Sequence, residues 1–126
     1  MILVVDDNAD TAEALAKLLA NVGPSATCAV DGPGALSIMA TVRPEAVVLD
    51  SHMPGMSGVE VLREMRSRST LADVPVVMYS AYPDADAIRA ARDLGAADWL
   101  VKGCDEWGDV LQAIADALKG ATTAVA

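Results

Sequence analysis

The sequence predicts an α/β fold, a doubly wound five-stranded parallel sheet with helices on both faces. Three observations predict it. Short, Val-rich apolar runs recur along the chain, each too short for a helix. Stretches with apolar residues at helical spacing separate them. Four of the five runs end in a polar or charged residue, and the carboxyl edge of an open α/β sheet is where such residues collect.

The first run, "ILVV" at 2–5, leads into Asp6-Asp7. Leu15, Leu18, Leu19 and Val22 then give a helix its apolar side, with Gly23-Pro24 as its stop. The second run, "ATCAV" at 26–30, ends in Asp31-Gly32, a turn. Pro33 suits the first turn of a helix carrying Leu36, Met39 and Ala40. The third run, "AVVL" at 46–49, stops at Asp50 and a Pro/Gly-rich loop. Ser57-Gly-Val-Glu60 has the capping-box pattern and opens a helix with Val61, Leu62 and Met65 on one side. The fourth run, "VPVVMY" at 74–79, delivers Ser80. Its helix holds Ile88, Ala91 and Leu94 and ends at Gly95. The fifth, "DWLV" at 98–101, delivers Lys102, and Asp105 is a candidate N-cap for a helix with Val110, Leu111, Ile114, Ala115 and Leu118. Such runs suit strands buried on both faces.

The 126 residues suffice for one domain, placed at 1–119, with "GATTAVA" at 120–126 as a frayed tail. With 53% of residues apolar, disorder is excluded. No apolar stretch approaches the ~18 residues of a membrane span, and the acidic opening does not resemble a secretion signal. Cys28 and Cys104 lie far apart without metal-ligand spacing, which suggests free thiols and a cytoplasmic setting. A formal charge of −9 argues against direct contact with nucleic acid.

The question then is what Asp50 does at the end of a buried run. Asp6, Asp7 and Asp50 share one predicted rim, and three crowded carboxylates repel unless a cation intervenes. All-oxygen ligands select a hard ion, Mg²⁺ being the usual cytosolic choice, and Mg²⁺ often bridges to phosphate. Asp50 is the candidate nucleophile, since carboxylates form aspartyl phosphates. Lys102 would neutralise growing negative charge, and Ser80 would donate to a phosphoryl oxygen. Taken alone, Asp6-Asp7 could equally cap the first helix, a duty that Asn8 or Asp10 could take instead.

The set "VVDD", "VVLDSHMPGMSG", "VVMYSAY" and "DWLVKG" resembles the receiver domain of two-component response regulators, over about residues 1–119. The resemblance implies a CheY-like, flavodoxin-like (βα)₅ sheet in order 2-1-3-4-5. It makes Asp6 and Asp7 metal-binding acids, Asp50 the phosphorylated residue, and His52 the source of a backbone carbonyl for Mg²⁺. Ser80 becomes the switch hydroxyl, Lys102 the site lysine, and Trp99 the switch aromatic. The implied partners are a sensor histidine kinase or histidine phosphotransfer protein and a downstream protein reading the α4-β5-α5 surface. The implied state is a monomer or a phosphorylation-dependent dimer. Such a domain catalyses only its own phosphorylation and dephosphorylation.

Two other readings compete. A degenerate receiver would act as a protein-binding module without phosphorylation. A haloacid-dehalogenase-like phosphatase also uses an Asp nucleophile and Mg²⁺, but wants a second Asp where this chain has His52. One departure bears on the site. Gly103 follows Lys102 where receivers usually place Pro, so the Lys102–Gly103 bond is expected either trans with a rearranged loop or cis under strain. His52 and Tyr82, each two residues beyond a site residue, are bulky and are expected to hinder hydrolytic water and slow dephosphorylation.

Overall fold

The computed structural model describes residues 1–22, 25–103 and 107–125. Five strands alternate with five helices: β1 (Ile2–Val5), α1 (Ala9–Val22), β2 (Ala26–Ala29), α2 (Gly32–Thr41), β3 (Ala46–Leu49), α3 (Gly58–Ser67), β4 (Val76–Ser80), α4 (Ala85–Asp93), β5 (Asp98–Val101) and α5 (Trp107–Val125). All strand pairs are parallel, in the order β2-β1-β3-β4-β5. Both the fold class and the strand order agree with the expectation from sequence.

Alternation along each strand builds two cores, because successive side chains point to opposite faces. Leu3, Val5, Val47, Leu49, Val76 and Met78 pack with α2, α3 and Ala91 of α4. Ile2, Val4, Ala46, Val48, Val77 and Tyr79 pack with Ala12, Leu15 and Leu19 of α1 and with Val110 and Ile114 of α5. A sheet covered on both faces needs apolar residues at every position of its inner strands, and β1 and β3 show them.

The outer strands correct the expectation of burial on both faces. Thr27 of β2 and Asp98 of β5 are exposed. Each outer strand has one neighbour and incomplete helix cover, so its composition is freer. β4 starts at Val76 rather than at 74, since Pro75 has no N–H to give a ladder, and Ser80 becomes its last residue. α5 continues to Val125, through residues expected to form a tail. The stop at Gly23-Pro24 and the cap at Asp105 lie outside the described residues, as does Cys104; Cys28 is a free thiol.

Capping follows the sequence pattern. The Ser57 hydroxyl accepts from the Glu60 N–H at 3.2 Å, and the Asp31 carboxylate accepts from the Gly34 N–H at 2.7 Å. Gly95, at φ +79°, ends the α4 turn in a left-handed conformation that costs glycine least.

Candidate functional site

Four strand ends meet at one rim and line a cleft of about 780 Å³. Asp6 and Asp7 follow β1, Asp50 follows β3, Ala81 and Tyr82 follow β4, and Lys102 follows β5. Asp6 and Asp50 are buried, 3% and 4% exposed, whereas Asp7 faces solvent. Capping of α1 falls to Asn8, whose side-chain oxygen accepts from the Thr11 N–H at 3.2 Å. Asp6 in turn accepts from the Asn8 N–H at 2.9 Å. The first two acids are therefore available to the cleft.

Oxygen atoms of Asp6, Asp7 and Asp50 lie within 4.8 Å of one another. Two oxygens on one Mg²⁺ sit at most about 4.2 Å apart, twice a bond of roughly 2.1 Å. Among three oxygens on one octahedral ion at least two pairs are neighbours only about 3 Å apart, so seating the ion would draw the carboxylates closer together. The donors are all oxygen and carry more negative charge than their neighbours offset, so the residues fit a hard divalent cation.

Lys102 Nζ donates to Asp6 Oδ2 at 2.6 Å and to Asp50 Oδ2 at 3.4 Å. Burial alone would pull the Lys102 pKa down, but the Asp6 hydrogen bond and the charges of Asp50 and Asp6 outweigh it, and the net shift is upward. Burial pushes the Asp50 carboxyl up to about 6, with the Asp6 charge adding to the rise. The His52 N–H, donating to Asp50 Oδ1 at 3.1 Å, and the Lys102 ammonium oppose that rise without cancelling it. Asp50 is thus a carboxylate whose ionised form is poorly served by the protein alone.

The backbone around Asp50 is fixed tightly. Its N–H donates to the Val5 carbonyl at 2.9 Å, and the Gly58 N–H donates to the Ser51 carbonyl at 3.1 Å. A Cβ at Gly58 would collide with the Asp50 carbonyl, which explains glycine at the first position of α3. The Lys102–Gly103 bond is trans, and Gly103 sits at φ +87°. Proline is locked near φ −65° and could not take that conformation. The trans alternative therefore holds, and the loop still brings Lys102 to the acids.

Ser80 is fully buried and does not line the cleft. Its Oγ accepts from the Ser51 hydroxyl at 2.6 Å and from the Tyr82 N–H at 3.3 Å. Ser51, missed in the sequence, is the polar neighbour of Asp50; only the strand register reveals its partner. His52 and Tyr82 are exposed at the cleft mouth with their rings paired, centroids 4.9 Å apart. Trp99 is half-buried against the α3/α4 side of the sheet and borders a separate cavity of about 330 Å³ with Ile88, Ala91 and Arg92. Its indole N–H is buried with no partner among the described residues. Among the described residues, no helix is long and apolar enough to cross a membrane.

Comparison with known proteins gives a consistent picture. The family model described as the response regulator receiver domain matches residues 2–115. The response regulator MprA of Mycolicibacterium vanbaalenii is 43% identical over 101 residues, which is 80% of this chain and 43% of that protein. The chain therefore spans less than half the length of that relative. Among solved structures, the Vibrio cholerae chemotaxis protein CheY4 superposes with a TM-score of 0.85 at 25% identity, covering 92% of this chain and 96% of that one. The receiver domain of NtrX from Brucella abortus gives 0.85 at 28% identity, covering 94% and 98%.

Proposed function

This chain belongs to the response regulator receiver domain family, and from that premise we propose that Asp50 accepts a phosphoryl group from a histidine kinase or histidine phosphotransfer protein. The observation that carries the proposal is Lys102 Nζ bridging Asp6 and Asp50, at 2.6 and 3.4 Å, where three carboxylates crowd one rim. In the transfer, an Asp50 oxygen attacks phosphorus and forms the O–P bond as the N–P bond of phosphohistidine breaks. The imidazole leaves with that electron pair.

Asp6, Asp7, Asp50 and the His52 carbonyl would hold Mg²⁺, which when bound screens the repulsion between carboxylate and incoming phosphate. Lys102 neutralises charge on the transferred group, and Ser80 turns to donate a hydrogen bond to it. The product adds about two negative charges and strong acceptor oxygens. Both conformations pre-exist, and the phosphoryl group biases them through the contacts it makes in each. Trp99, on the sheet face shared by Ser80, turns in response, and the α4-β5-α5 surface presents the change to a downstream protein. Monomeric and phosphorylation-dependent dimeric forms both suit this output, which needs neither nucleic acid nor a membrane. Gly103 lends no support to a binding module that is never phosphorylated, because Lys102 reaches the acids past it.

Intact-mass measurement after incubation with Mg²⁺ and a small-molecule phosphodonor tests the proposal. Wild type is expected to gain one phosphoryl group and Asp50→Asn none. Unlabelled wild type would leave the binding-module reading in its place. Steady phosphate release from phosphoesters would indicate a phosphatase.

A further inference from the structure

Resting on the phosphoacceptor reading, we propose that Ser51 is a positioning residue that latches the Ser80 hydroxyl in its resting orientation and so sets the threshold for switching. Alternation and register place the two together. Leu49 of β3 is paired with Met78 of β4, so two residues further along Ser51 faces Ser80. Both then follow the apolar residues of the α3/α4 side, the side on which Trp99 packs.

The hydrogen-bond inventory of Ser80 gives the latch its logic. A hydroxyl oxygen has two acceptor positions. The Ser51 hydroxyl fills one at 2.6 Å and the Tyr82 N–H the other at 3.3 Å. The Ser80 oxygen is thereby held at zero exposure, outside the lining of the cleft, while Ser51 lines it. To reach a phosphoryl group on Asp50, Ser80 must leave this arrangement. Ser51, only 5% exposed, then loses its acceptor. Buried donors left unpaired are costly, so the pair favours the resting state until a phosphoryl group outweighs it. Among the described residues the Ser51 hydroxyl donates to Ser80 Oγ rather than to a site carboxylate, so its influence runs through Ser80.

Calorimetric titration of the full chain with trifluoroberyllate and Mg²⁺, a phosphoryl mimic, tests the latch. Ser51→Ala is expected to bind the mimic roughly three- to tenfold more tightly, the scale of one neutral hydrogen bond. Ser51→Thr, which keeps the hydroxyl, should return toward wild type. In a Ser80→Ala background, Ser51→Ala should change nothing, which a merely structural effect of residue 51 would not reproduce. A double-mutant cycle on urea midpoints without metal should also show coupling between residues 51 and 80. Unchanged or weaker binding by Ser51→Ala, the same tightening without Ser80, or no coupling would each overturn the latch. If wild type fails to bind the mimic, the phosphoacceptor reading fails and takes the latch with it. Wild-type binding with an indifferent Ser51→Ala sinks the latch alone.

Discussion

Two clefts of similar volume lie at opposite ends of the parallel sheet, about 830 Å³ at the beginnings of β4 and β5 and about 780 Å³ at the strand ends. Each holds ionised groups, but they are settled differently. At the first, the Arg66 guanidinium donates to the carbonyls of Leu94 (2.7 Å), Val74 (2.8 Å), Leu71 (3.3 Å) and Gly95 (3.4 Å). Burial pulls its pKa down and the Asp73 charge pushes back. At the second, among the described residues, the Lys102 ammonium bonds both Asp6 and Asp50 while Asp7 crowds them. The acids lining the first cleft, Asp73, Asp93, Asp98 and Asp116, are all exposed, and its guanidinium joins loops; the second buries two carboxylates, Asp6 and Asp50, beside one lysine. Carboxylates crowded together in a buried setting, rather than cleft size or net charge, are what mark a site for chemistry.

Opposite signs should appear when each charge is removed. Arg66→Ala leaves part-buried carbonyls of two loops without their donor and should cost about 2 kcal/mol in urea unfolding. Phosphodonor labelling of Asp50 should survive in the folded fraction. Little destabilisation would mean that water replaces the guanidinium and that the two clefts differ less than the geometry implies.

Asp50→Asn should do the reverse. The Asp50 carboxyl, at about 6 in the folded protein against an ordinary 3.8, binds its proton more tightly when folded. The contribution of the protonated form is present in full below about 3.8 and is lost as pH rises through about 6. Without metal at pH 7.5, Asp50→Asn should therefore be more stable than wild type, by on the order of 2 kcal/mol. The gain should fade as pH falls from 7 to 4 and should shrink when Mg²⁺ is added, since ligand binding stabilises wild type more. Thermal melts across pH, with and without Mg²⁺, measure it; a pH-independent difference would remove the argument from burial.

Sequence showed the second cleft far better than the first. Asp6, Asp7, Asp50, Ser80 and Lys102 are polar residues that end apolar runs, a contrast visible without coordinates, and the runs at 2–5, 46–49 and 98–101 match their strands. The Ser57 cap was legible because local hydrogen bonding decides it. Arg66 reads as an ordinary charge on an amphipathic helix, and only the packing of α3 against two loops encloses it. Ser51 required the register between β3 and β4, which no local pattern encodes. Exposure of β2 and β5 depends on strand order, which came from family resemblance. The extension of α5 through Gly120 runs against the low helix propensity of glycine, and nothing in the structure explains it.

The loop that carries Lys102 sharpens the comparison at smaller cost. Gly103 sits at φ +87°, and nothing among the described residues lies within 4 Å of where a Cβ would stand. Backbone strain is then the main expected penalty of Gly103→Ala, about 1 kcal/mol. Gly103→Pro should cost more and lower the labelling rate, since its ring forbids the observed φ and must move the loop bearing Lys102. Equal behaviour of the two variants would show that Lys102 reaches the acids independently of this turn.

The smallest expected effect on stability lies at the cleft mouth, where the rings of His52 and Tyr82 pair in solvent. Both are exposed, so replacing them with alanine should change stability by no more than about 0.5 kcal/mol. Their expected effect is kinetic. Hydrolysis of an aspartyl phosphate needs water to reach phosphorus, and two rings across the opening narrow that approach. His52→Ala/Tyr82→Ala should shorten the phosphoryl lifetime about threefold, which is roughly 0.7 kcal/mol of barrier. Timing phosphate loss after removal of the phosphodonor reads this directly. An unchanged lifetime would leave the ring pair without a part in the chemistry, and the buried carboxylates with Lys102 would then account for the cleft alone.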